Sequence, residues 1–179
     1  MTVSAAERPT SVSQSGAGGS WSPLSNLEYG SSGDVSATQK AVYLSWKWQT
    51  VACAIPNFIQ SVDVGSQFVS LKITLNEECD GTPRPSSKGW LTGGSVIDSG
   101  TIPSTGPRVT TLDGDASYWG LSGTPQEIFT GLKDGSIAFN YNPTSPYSGT
   151  TTVTISDIKF TLTYLLADTK RASLIACLP

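Results

Sequence analysis

Two carboxylates flank a glycine at Asp113–Gly114–Asp115, and a third, Glu127, closes the same run, DGDASYWGLSGTPQEIF. Clustered acidic side chains suit two chemistries. Several oxygens in a flexible loop can hold a hard cation such as Ca²⁺. Two carboxyls about 5 to 9 Å apart across a groove can hydrolyse a glycosidic bond. The run lacks the further acidic positions and the distal glutamate of an EF-hand loop, and Asp-Gly is a turn signal in its own right. The residues therefore favour a turn, with a cation loop as the alternative. Asp98, Asp113, Asp115 and Glu127 could supply a hydrolytic pair, but no spacing selects one.

Other chemistries have less to work with. Histidine is absent, which removes Ser-His-Asp and Cys-His nucleophile chemistry and the commonest metal ligand. Cys53, Cys79 and Cys177 are far apart and form no CxxC pair, so they read as small buried hydrophobes rather than zinc ligands. No phosphate-binding glycine loop, nucleophile elbow or HExxH helix occurs. The expectation is no catalytic residue, no metal ligand and no cofactor, hence a protein that is not an enzyme.

The elements that must position these residues are strands. Charged residues make up only 14% of the 179-residue chain, while glycine occurs 18 times and proline 11 times. Serine, threonine and β-branched residues are plentiful, a mixture that favours strands and turns over helices. The formal charge is −3 and no basic cluster exceeds Lys170–Arg171, which argues against a nucleic-acid partner. The apolar runs are too short for a membrane-spanning helix and no apolar signal core begins the chain, so synthesis in a cytoplasm and no membrane partner are expected.

Alternation marks individual strands. Val42, Leu44, Trp46 and Trp48 share one face of AVYLSWKW; Val69, Leu71, Ile73 and Leu75 share one face of QFVSLKITL; Ile137, Phe139 and Tyr141 do so in SIAFNY. In TTVTISDIKFTLTYLL the parity slips between Ile155 and Ile158, which predicts a β-bulge at Ser156–Asp157. One short helix is signposted by Thr124 as N-cap, Pro125, Glu127 three positions on, and Gly131 as its stop. The domain spans 21–165, with an extended arm at 1–20 that carries no periodic apolar pattern and an extension at 166–179. Trp90, between SSKG and LTGG, is the candidate for an exposed aromatic.

The segments WSPLSN, YLSWKWQTVACAIP and, most specifically, YWGLSGTPQEI, followed by the long strand VTISDIKFTLTY, resemble a β-sandwich domain of tailed-bacteriophage virion structural proteins. The resemblance covers about residues 21–165. It implies a jelly-roll-like sandwich, so that the expected fold is all-β: an antiparallel jelly-roll-like β-sandwich with the one short helix and the extended terminal arms read from the residues. It also implies that 113–129 forms a corner in which Trp119 packs under the helix, which makes the acidic pair structural.

The expected function is that of a capsid cement or decoration protein on the outer surface of a phage head. Its partners would be the major capsid protein and further copies of itself, a trimer suiting threefold positions. Val3, Pro9 and Val12 in the first arm and Leu174, Ile175 and Leu178 in the last are the expected partner contacts. The alternative is a tail-fibre or receptor-binding module in which Trp90 and the loops of residues 79–108 take a glycan.

Overall fold

A computed structural model describes residues 1–9, 11–15, 21–28, 35–40, 50–53, 62, 65–82, 84–104, 106–144 and 150–167. The alternating run at 41–48 with Trp46 and Trp48, and the extension carrying Leu174, Ile175, Cys177 and Leu178, lie outside these residues.

The described strands are β1 (Thr2–Glu7), β2 (Val12–Ser15), β3 (Trp21–Ser22), β4 (Val35–Lys40), β5 (Thr50–Cys53), β6 (Gln67–Thr82), β7 (Ser86–Leu91), β8 (Ile97–Thr101), β9 (Arg108–Gly114), β10 (Phe139–Thr144) and β11 (Thr150–Leu165). One helix, α1 (Pro125–Asp134), precedes β10. The strands form an all-β antiparallel sandwich. One sheet has the order β3-β4-β11-β6-β9, with β1 also on β11; the other has the order β2-β5-β10-β7-β8. Of the connections between described strands, only β3–β4 and β7–β8 stay within a sheet, so the chain passes back and forth across the core.

The frame is the pair β6 and β11, each of 16 residues. Its inner face is largely apolar: Leu71, Ile73 and Leu75 from β6 meet Val153, Ile155, Ile158, Phe160 and Leu162 from β11, all essentially inaccessible to water. The expected bulge is present. Ile155 pairs with Glu77 and Asp157 with Asn76, so Ser156 is the extra residue and the inward parity changes there. A second irregularity corrects the reading of Val69. Ser70 pairs with Thr163 but Phe68 with Tyr164, which leaves Val69 unpaired in the ladder. Phe68 takes the core position and Val69 turns outward, 37% exposed.

Aromatic rings link the layers. Phe139 of β10 stands edge-on to Phe160 of β11 at 5.9 Å and to Trp119 at 6.5 Å, while Phe129 of α1 lies 5.4 Å from Tyr164. The helix thereby closes one end of the sandwich. Gly131 is not its stop. The helix runs on to Asp134, and Gly135 caps it in the left-handed region at φ 83°. Gly131 is buried mid-helix, where an added Cβ would lie 2.8 Å from Ile137 Cδ1. Close packing, not chain reversal, requires that glycine.

The N-terminal segment, expected as an arm, supplies an edge strand to each sheet. β1 pairs with β11 from Thr2↔Leu165 to Glu7↔Phe160, and β2 pairs with β5 from Val12↔Cys53 to Ser15↔Thr50. Pro9, buried, lies in the crossing between them. Edge strands are held by backbone ladders, which leave no hydrophobic period in the sequence.

Candidate functional site

The acidic corner is built of backbone and capping contacts. Asp113, next to last in β9, stands opposite Lys72 of β6. The Asp115 carboxylate accepts the Tyr118 N–H at 3.0 Å, and its carbonyl accepts the Trp119 N–H at 3.2 Å, which folds residues 115–119 into a tight turn. Trp119 is wholly buried, and its indole N–H donates to the Leu71 carbonyl at 3.1 Å. Tyr118 meets it edge-on at 5.3 Å. Glu127 lies in the capping box: its Oε2 accepts the Thr124 N–H at 2.7 Å, while the Thr124 hydroxyl accepts the Glu127 N–H at 3.3 Å. The Thr124 N–H and, at 2.9 Å, the Thr124 hydroxyl donate to the carboxylate and favour its ionised form, so the Glu127 carboxyl lies below its ordinary range, with the Thr124 backbone as the main cause. The Ser136 N–H lowers Asp134 in the same way. A shallow polar groove of about 400 Å³ runs beside α1, lined by residues that include Glu127, Thr130 and Asp134. The carboxylates of Asp115, Glu127 and Asp134 are thus each committed to a turn or cap.

The interior holds a polar cluster that motif reading missed. Glu77 follows Leu71, Ile73 and Leu75 in the inward series of β6 and is completely buried. Its Oε1 accepts from Arg108 Nη2 at 2.7 Å and from the Thr110 hydroxyl at 2.5 Å, both on β9, while Oε2 accepts the Tyr141 phenol at 2.7 Å from the opposite sheet. Arg108 also donates to the carbonyls of Ser99, Gly100 and Thr101 on β8. One guanidinium therefore ties the edge strand of one sheet to the edge strand of the other. Burial, and then the Glu77 charge, pushes the Tyr141 hydroxyl well above its ordinary value, so it stays a donor. A buried carboxylate satisfied from both sheets is a cross-sheet clasp. The alternation of β6 carried the signal: its period puts Glu77 on the face of Leu75 and Cys79.

The other sequence candidates are dispersed. Val3 and Val12 are half-buried and pack against the chain's own core. Cys53 and Cys79 are buried free thiols, both pushed up by burial, and the Cys79 thiol donates to the carbonyls of Ile102 and Pro103 at 3.4 Å. Trp90 is on β7 and not in a loop, and residues 86–91 and 97–101 of the expected loop cluster are paired strands. The small inward residues of β7, Ser87 and Gly89, hid the alternation, and an added Cβ at Gly89 would meet Leu112 at 2.7 Å and Phe139 at 2.9 Å. Trp90 itself is half-buried on the outward face, in register with Asn140.

No protein-family model matches the chain, and no curated protein is similar to it in sequence.

Proposed function

We infer that the protein is a non-enzymatic virion structural protein, a capsid cement protein that binds the outer face of a phage head and bridges its major coat subunits. The observation that carries this reading is the way β1 and β2 are held, as one edge strand on each sheet with Val3 and Val12 as apolar anchors. Strand addition uses backbone groups that any open strand edge offers. The same segment can therefore pair with the edge of a coat subunit or of another copy, and exchange among copies suits a symmetric oligomer such as a trimer. The resemblance of YWGLSGTPQEI to virion sandwich domains points the same way.

The test is the copy number of this chain in purified virus particles, by quantitative mass spectrometry against the major coat protein. Hundreds of copies in simple ratio to the coat are expected. A dozen would move the protein to the tail, and none would end the virion reading.

A further inference from the structure

The outward face of the five-stranded sheet carries an aromatic ring beside amide and charged side chains. Its cross-strand register sets Ser13, Ala52, Asn140 and Trp90 in one row. In the next row Asn142 stands opposite Lys88, and Lys88 opposite Asp98. The two rows are two residues apart along β7, about 7 Å at the rise of a strand.

Three features of this face point to a ligand. First, the Trp90 indole makes no hydrogen bond and no ring contact among the described residues, although Trp21 and Trp119 are both locked by such contacts. Second, the Asn140 amide is fixed beside it. Its Nδ2 donates to the Thr92 hydroxyl and to the Ala138 carbonyl, each at 3.2 Å, which leaves Oδ1 as an oriented acceptor with no protein donor among the described residues. Third, Lys88 Nζ and Asp98 Oδ2 are 4.0 Å apart, too far for a direct hydrogen bond, and 34% and 52% exposed. A donor and an acceptor held at that separation can be bridged by adjacent hydroxyls.

We propose that this face is a binding platform for a neutral oligosaccharide, with Trp90 as the stacking ring and Asn140, Lys88 and Asp98 as its hydrogen-bonding rim. The charges select the ligand class: the single cation and single anion of the platform cancel, so neither a phosphate nor a polyanion is favoured. An apolar sugar face covers the indole, while its edge hydroxyls donate to Asn140 Oδ1 and, one row away, engage the Lys88–Asp98 pair. The inference does not depend on where the protein resides, and its test uses the isolated full-length chain.

That test is isothermal titration with uncharged hexasaccharides: maltohexaose, cellohexaose, laminarihexaose, mannohexaose and chitohexaose. At least one is expected to bind with a dissociation constant of roughly 1 mM or tighter. Trp90→Ala should weaken that binding at least about tenfold, and Asn140→Ala severalfold, with circular dichroism and the urea midpoint showing whether each variant folds. If Trp90→Ala fails to fold, the exposed pair decides through Lys88→Ala and Asp98→Ala: weakened binding supports the platform and unchanged binding overturns it. No binding by any of the five sugars, or binding indifferent to Trp90 and Asn140 in folded variants, also overturns it.

Discussion

Glu77 and Tyr141 belong to opposite sheets and are joined through the middle of the sandwich by a 2.7 Å hydrogen bond from phenol to carboxylate. Arg108 and Thr110 complete the carboxylate's shell. A charge placed where an aliphatic side chain would fit is tolerable only while all its partners are present. Replacing the whole cluster by apolar residues could be neutral, whereas removing one member leaves a buried charge or acceptor unsatisfied.

Tyr141→Phe should therefore cost about 1–3 kcal/mol in urea unfolding, the penalty for an orphaned buried acceptor. Arg108→Ala should cost about 3 kcal/mol, the low end for a broken buried pair because the guanidinium keeps some water. A double-mutant cycle of Tyr141→Phe with Glu77→Gln should return a coupling of about 0.5–3 kcal/mol. Coupling near zero would dismiss the clasp.

The same burial sets an alkaline limit. Cys53 and Cys79 titrate above the ordinary thiol value of 9.0, and Tyr141 above the ordinary phenol value of 10.0, chiefly because their charged forms are desolvated. As pH rises past these ordinary values the unfolded chain releases its protons while the folded chain keeps them. The folded state then binds more protons, so stability falls with pH. The urea midpoint should be level from pH 7 to about 8.5 and decline steadily above pH 9. Cys53→Ala should make that decline shallower, and an unaltered slope would remove this thiol from the account. At the acid end the sign reverses. Glu127 and Asp134 are lowered, so their contribution is present above the ordinary carboxylate range and is lost as pH falls through their folded values.

Two glycines, one within α1 and one capping it, should fail for different reasons. Gly135 has φ 83° and open space around its missing Cβ, so Gly135→Ala should cost about 1 kcal/mol of backbone strain while Gly135→Asn costs less. Gly131 has helical φ but no room, with Ile137 Cδ1 and Cγ1 at 2.8 and 2.9 Å from an added Cβ. There Gly131→Ala gains about 1 kcal/mol in helix propensity and loses about 1–3 kcal/mol to overpacking. Shortening Ile137 to Val in the Gly131→Ala background should recover part of the loss. Equal costs that ignore Ile137 would show that both positions need only backbone freedom.

What the sequence revealed, and what it hid, follows from the kind of force at each position. Alternation exposed the inner faces of β6, β10 and β11 because apolar burial has a period, and the parity slip located Ser156 because a bulge shifts that period. The capping box at Thr124 was legible because its two hydrogen bonds require particular side chains three residues apart. Val69 was misread because the second bulge turns on one residue beside two adjacent apolar side chains, Phe68 and Val69, either of which could face inward. β7 was read as a loop because two of its inward positions, Ser87 and Gly89, are small, and at Gly89 that is a demand of Leu112 across the core and Phe139 on the neighbouring strand. The Glu77 clasp needed partners 31, 33 and 64 residues away, separations that carry no local signal.

The first strand offers the sharpest test of how the N-terminal segment works. β1 covers the backbone of β11 from Phe160 to Leu165, and Arg8 anchors it through an ion pair to Asp157 at 2.8 Å and a bond to the Asn26 carbonyl at 3.1 Å. Deleting residues 1–9 removes this cover and leaves the edge of a long central strand open. An open edge pairs with whatever strand meets it. The truncated chain should show a higher mass than the intact chain in light scattering after size exclusion, together with a lower urea midpoint. A synthetic peptide of residues 1–9, added in excess, should restore both by refilling the edge. Arg8→Ala in the intact chain should shift the midpoint only slightly, since a partly exposed ion pair contributes about 0–1 kcal/mol and the ladder supplies the rest. Truncation without association or destabilisation would mean that β1 holds nothing in place, and the strand-exchange basis of the cement reading would fall with it.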